Sequence, residues 1–212
     1  MQERAKVTRR SLLEAAAQLF AEQGYAATSV NDISARSGRT SGAVYFHYTG
    51  KEGIAVAVVE DRFATWSQLA ARYGDETVPP LERLVALSYE IAHALTRDPV
   101  TRAGARLWAE RAVIKAPVPD PFALWTAAAT RLLAQARLAG HVNERVRPAR
   151  TARTLVRAFF GLCTITEAIE GTTVLDDRLT DWWHLTLPSL RPQPSRGNLP
   201  AGRMSPSGGL RL

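Results

Sequence analysis

Residues 28–51 read TSVNDISARSGRTSGAVYFHYTGK, and this stretch decides the fold. Thr28 and Ser29 precede Val30, Ile33 and Ala35, and Ser29 stands three residues before Asp32, the spacing of a capping box. The spacing predicts a short helix ending near Ser37-Gly38, where the glycine supplies a left-handed stop. Thr40 can cap a further helix through about His47. Only Gly38 and Arg39 lie between the two, a turn that makes them cross steeply.

A helix-turn-helix lays its second helix in the DNA major groove and braces it with phosphate contacts, so small or polar residues belong at that helix's front. Thr40, Ser41 and Gly42 head the helix, and Tyr45 and His47 follow, all short or polar enough to meet base edges or phosphate oxygens. Val44 and Phe46 are expected to point inward. Lys51 adds a separate argument, because a cation in a helix's first turn opposes the macrodipole at a cost of a few tenths of a kcal/mol unless an anion sits there. A DNA phosphate is such an anion. The candidate DNA contacts are Thr28, Arg39, Thr40, Ser41, Gly42, Tyr45, His47 and Lys51.

Upstream, Leu12, Leu13, Ala16, Leu19 and Phe20 recur at helical spacing before Gly24, which predicts a first helix over about 8–23. Downstream, Thr49-Gly50-Lys51-Glu52 has the form of another capping box and opens a long helix carrying Ile54, Val58, Phe63, Trp66 and Leu69 toward Tyr73. Gly53, in its first turn, is either a pivot or an unremarked surface glycine. Further helices are expected from Pro79 to Arg97, from Asp98-Pro99 to about Arg111, and from Asp120-Pro121 to Gly140. Two more run from Pro148 to a stop at Gly171 and from Leu175 to Leu187. No strand alternation appears, so the predicted fold is all-α: a three-helix head, residues 1–50, joined to a helical ligand-binding and dimerisation domain, 51–190. Residues 191–212, rich in Pro, Gly, Ser and Arg, are expected to be a disordered basic tail.

The net charge of +7 is unevenly placed. Residues 1–51 hold seven Lys/Arg against four Asp/Glu, residues 191–212 hold four Arg and no acid, and the middle is neutral. Such asymmetry favours a polyanionic partner at the ends of the chain. The single cysteine, Cys163, excludes an internal disulfide and reads as a small buried apolar side chain. The charged N-terminus lacks an apolar signal core, and no run of about 18 apolar residues occurs, so a cytoplasmic chain without membrane spans is expected. Paired carboxylates, nucleophile and base sets and phosphate loops are all unconvincing, and His47, His93, His141 and His184 lie far apart in sequence. Neither an enzyme nor a cofactor is expected.

The ordered set Phe20-x-x-x-Gly24-Tyr25, Thr28-Ser29-Val30-x-x-Ile33, Ser37-Gly38 and Gly42-Ala43-Val44-Tyr45-Phe46-His47-Tyr48 followed by Lys51-Glu52 resembles the N-terminal domain of TetR-family repressors. The resemblance implies that the first three helices form the DNA-binding head and that Thr40, Gly42, Tyr45, His47 and Lys51 anchor it. Many relatives carry lysine where this chain has Ser41, and an apolar residue where it has Arg39. Arg39 is thus positioned to make the guanine or phosphate contact that the missing lysine would have made.

The second domain resembles the γ-butyrolactone receptor branch of that family, through Asp98-Pro99-Val100-x-x-Ala103-Gly104-x-Arg106-Leu107, Pro119-x-Pro121-Phe122-x-x-Trp125, and Thr154-Leu155-Val156 with Gly161. Those regulators bind γ-butyrolactone, butenolide or furan autoregulators that switch on antibiotic production. The similarity implies that Trp125 lines the signal pocket, with Phe122, Trp108 and Phe63 where relatives place other pocket residues. These four apolar rings imply a ligand less polar than a furan. A pseudo-receptor answering to an antibiotic is the alternative. The apolar surface of the last two helices exceeds what one protomer buries, which predicts a homodimer reading a near-palindromic double-stranded operator.

Overall fold

The computed structural model describes residues 2–72, 77–120 and 122–192, with the side chains of 62–72 excepted. The side chain of Phe63, residue Pro121 and the tail from 193 onward therefore lie outside the described residues. Nine α-helices occur among them: α1 Gln2–Ala27, α2 Val30–Ser37, α3 Ser41–Tyr48, α4 Lys51–Arg72, α5 Pro80–Arg97, α6 Pro99–Ala109, α7 Ala123–Leu138, α8 Pro148–Ile169 and α9 Leu175–Leu190. No strand interrupts them among the described residues, and no helix is long and apolar enough to cross a membrane.

Local chemistry sets most of the boundaries. Ser29 and Asp32 form the expected reciprocal capping box, with the Asp32 amide donating to Ser29 Oγ at 3.1 Å and the Ser29 amide to Asp32 Oδ2 at 2.8 Å. Asp98 accepts from the amides of Val100 and Thr101 and so starts α6, while prolines 99 and 148 occupy first-turn positions where no amide is missed. Gly38 ends α2 in the left-handed region at φ 65°.

Three boundaries depart from the expectation. α1 begins at Gln2 and continues past Gly24, which breaks the helical path at φ 84° without ending it. Asp120 Oδ1 accepts the amide of Phe122 at 2.8 Å ahead of the helix, and α7 begins only at Ala123. α9 runs through Pro188 to Leu190, because the last-turn carbonyls of Ser189 and Leu190 are taken up by the Asn143 side chain and the Leu190 carbonyl by the Asn143 amide.

Two apolar cores follow. One joins α5, α7, α8 and α9 around Leu87, Ile91, Trp125, Leu133, Phe159, Leu179 and Trp183. The other joins α1 to α3 around Leu12, Phe20, Ile33 and Val44, and is completed by Ile54, Val58 and Val59 of α4 and by Val100, Ala103 and Leu107 of α6. At about 1.5–3 kcal/mol for each fully buried large apolar side chain, those later helices supply a substantial share of what holds the first three together.

Candidate operator-binding face and effector pocket

α2 and α3 meet across Gly38-Arg39, and each sends one row of side chains inward. Ile33 from α2 and Val44 and Tyr48 from α3 are buried. The Tyr48 hydroxyl donates to the Arg9 carbonyl at 2.7 Å and ties α3 to α1. Phe46, expected to point inward, is 82% exposed. Residues two apart lie on opposite sides of a helix, so Val44 and Phe46 cannot share its inner face; Tyr48, one turn on from Val44, is its partner there.

The outer face of α3 holds Gly42, Tyr45 and Phe46, with Arg39 and Thr40 exposed just ahead of it and His47 half-buried beside it. Phe46 and His47 meet edge to face at 5.0 Å between ring centroids. Thr40 caps the helix by accepting from the Ala43 amide at 3.3 Å, which leaves the Ser41 and Gly42 amides among the free donors of the first turn. A Cβ built on Gly42 would meet only Thr40 Oγ1, at 3.8 Å, so no internal crowding explains the glycine. The positively polarised front of a helix, bare at Gly42 and flanked by hydroxyls and Arg39, is chemically fit to receive a phosphate or a base edge. Ser41 keeps little freedom, since its hydroxyl donates to Asn31 Oδ1 at 3.0 Å and accepts from Ser34 Oγ at 3.1 Å.

One expected contact is corrected, and the ground for another changes. Thr28 is only 1% exposed, and its hydroxyl donates to the Gly24 carbonyl at 2.7 Å, so it secures the link between α1 and α2 from inside and does not face DNA. Lys51 has partners without an anion: its ammonium donates to the carbonyls of Tyr25 at 2.9 Å and Thr28 at 2.8 Å and lies 4.1 Å from the Tyr25 ring centroid. Burial foremost, then its hydrogen bond with Glu52, pushes the Tyr25 phenol up to about 12. Nor does Thr49 cap α4. It takes the left-handed position that ends α3, at φ 59°, and its hydroxyl donates to the Tyr48 carbonyl at 2.6 Å.

Against the core of α5 and α7–α9, Trp108, Phe122 and Trp125 are brought together through a ring that helical spacing presents only as helix filling. Phe160 lies 4.2 Å from Phe122 and 5.2 Å from Trp125, centroid to centroid, and Phe122 stands 4.7 Å from Trp108. Trp125, 5% exposed, also meets Phe159 at 4.6 Å. The edge-to-face geometries are those favoured by aromatic quadrupoles. Beside Phe160 a cavity of about 460 Å³ opens between α1, α5, α6 and α8, with Arg102, Arg106, Cys163 and Glu167 among its walls. Cys163 is buried, and burial pushes its thiol up to about 12, in keeping with a packing role.

Comparison with known proteins agrees with this architecture. Residues 12–58 match the family described as bacterial regulatory proteins, tetR family, and residues 78–192 match the tetracyclin repressor-like C-terminal domain. The chain belongs to the TetR family of transcriptional regulators, a family of DNA-binding proteins and not of enzymes. It is 32% identical over 189 residues to the A-factor receptor protein of Streptomyces griseus, covering 89% of this chain and 66% of that protein's length. A chain solved in work on the control of antibiotic production by bacterial hormones superposes with a TM-score of 0.81 at 39% identity, covering 87% of this chain and 98% of that one. A γ-butyrolactone receptor of the ArpA-like type gives 0.73 at 31%, covering 89% and 90%. The protein is thus a TetR-type regulator related to γ-butyrolactone receptors.

Proposed function

We propose that the chain is a dimeric repressor that holds a near-palindromic operator through α3 and releases it when an apolar γ-butyrolactone-type autoregulator binds at the Trp125 cluster. Residues 1–50 act as the reading head and 51–190 as the effector and dimerisation domain. One observation carries the DNA half of this reading: Gly42, Tyr45 and Phe46 stand outward at a capped helix front whose opposite face is core. Arg39, Thr40, Gly42, Tyr45 and His47 make the contacts, Phe46 joins them as an apolar surface for thymine methyls, and Ser41 and Lys51 support the helix from behind.

Trp125, Phe122 and Trp108 form the effector wall, with Phe63 of α4 assigned to it from the resemblance. Their rings suit an alkyl-bearing lactone more than a furan acid. Dimerisation uses the outer faces of α8 and α9, where Ile165 is 60%, Ile169 77% and Leu185 81% exposed. A Cβ at Gly161 would meet nothing in its own protomer, which suits close approach by a second helix. The test is a gel-shift titration against DNA enriched from a random pool. Release by synthetic γ-butyrolactones supports the reading, release by an antibiotic alone makes the chain a pseudo-receptor, and release by neither removes the effector half.

A further inference from the structure

The break in α1 at Gly24 is held from outside the head. Arg106 of α6 donates from Nη1 to the carbonyls of Ala21 at 3.0 Å and Glu22 at 3.1 Å, and from Nε to Glu110 Oε1 at 3.0 Å. Glu110 in turn accepts the Tyr25 amide on Oε2 at 2.6 Å. One charged pair, one helical turn apart, thus takes up two carbonyls just ahead of the break in α1 and the amide on its far side. A Cβ on Gly24 would lie 2.6 Å from Glu110 Oε1 and 2.9 Å from Arg106 Nη2, so the glycine is what allows the pair to seat.

From Tyr25 the connection continues. Its carbonyl receives the Lys51 ammonium, which also holds the Thr28 carbonyl, and Lys51 begins the helix that follows α3. On the other side, the α6 turn between Arg106 and Glu110 carries Leu107 into the head's core and Trp108 against Phe122 of the aromatic cluster. A single turn of α6 therefore touches both the effector wall and the end of α1.

We propose that Arg106 and Glu110 are positioning residues for operator binding, a latch through which α6 fixes the 24–28 joint and, by way of Lys51, the setting of α3. The inference rests on the operator reading above and deepens it.

The experiment uses the full chain as wild type and as Arg106→Gln, Arg106→Lys, Glu110→Gln, Gly24→Ala and Lys51→Met, with DNA enriched from a random pool by the wild type. Amide hydrogen exchange and operator affinity are both read. Arg106→Gln and Gly24→Ala are expected to speed exchange at Tyr25 at least tenfold and weaken operator binding at least tenfold, while exchange in α8 and α9 stays at wild-type rates. Arg106→Lys, able to reach one carbonyl, falls between. Arg106→Gln with Lys51→Met binds no worse than the poorer single variant, because both act through one joint. Unchanged Tyr25 exchange in Arg106→Gln and Gly24→Ala overturns the latch, as does fully additive weakening with Lys51→Met. If the wild type enriches no DNA, the operator reading fails, and the exchange measurement alone decides whether the latch holds the joint.

Discussion

A Cβ added to Gly53 would stand 1.7 Å from the carbonyl oxygen of Tyr48. No side-chain adjustment relieves an overlap with backbone, so the start of α4 and the end of α3 approach as closely as they do only because residue 53 is glycine. Gly53 is therefore neither a pivot nor a neutral surface position. Gly53→Ala is expected to destabilise the head by about 3 kcal/mol or more and abolish operator binding. Urea unfolding followed by circular dichroism, with a gel shift, measures both; a midpoint equal to wild type refutes the tight junction.

Arg39 and Lys51 are predicted to separate by salt. Arg39 is exposed and has no side-chain hydrogen bond among the described residues, whereas Lys51 holds two carbonyls. Arg39→Ala should leave the melting temperature unchanged and lower the slope of log affinity against log salt by about 0.9 for each phosphate no longer neutralised. Lys51→Met should lower the melting temperature and weaken binding without that change in slope.

Trp125→Ala is expected to abolish effector release while the operator is still bound. It should also cost the body about 3–5 kcal/mol, the usual penalty for truncating a buried tryptophan, so the titration is run well below the variant's melting temperature. A variant released normally by the wild type's effector removes Trp125 from the pocket.

Charging the outer face of α8 and α9 tests the pairing of protomers. The double variant Ile169→Asp, Leu185→Glu is expected to sediment as a folded monomer and lose most of its operator affinity, since two heads no longer bind together. A variant that remains dimeric places the seam elsewhere.

Alkaline pH should weaken the fold in a definite window. Burial raises the Cys163 thiol from 9.0 and the Tyr25 phenol from 10.0, each to about 12. The unfolded chain then loses these protons first, so stability is unaffected below about pH 9 and falls as pH rises toward 12, by at most about 1.4 kcal/mol per pH unit for each group. Denaturant midpoints between pH 8 and 11 should show the decline, reduced in Cys163→Ala. The native thiol should resist a thiol reagent at pH 8 and react once unfolded.

The features legible in the sequence are those whose cause lies within a few residues. Ser29 with Asp32, Asp98 ahead of Pro99, and Gly38 after α2 each act on their own helix end, and the helices follow. Lys51, Thr28 and Gly53 mislead for the opposite reason. The partners of Lys51 are carbonyls 23 and 26 positions away, and Gly53 answers to a carbonyl of the preceding helix. Arg106 stands within a family motif, yet its acceptors lie 84 and 85 residues upstream, and no spacing announces them. The outward position of Phe46 is recoverable, because helical period alone sets it opposite Val44.

The head's core draws Ile54, Val58 and Val59 from α4 and Val100, Ala103 and Leu107 from α6. Residues 1–50 are consequently not a portable cassette. A chimera meant to give this regulator another protein's DNA preference must graft the inner sides of α4 and α6 along with the foreign helices, or exchange only the solvent-facing positions of α3. A fragment cut at residue 50 would uncover Phe20 and Val44 and is expected to aggregate.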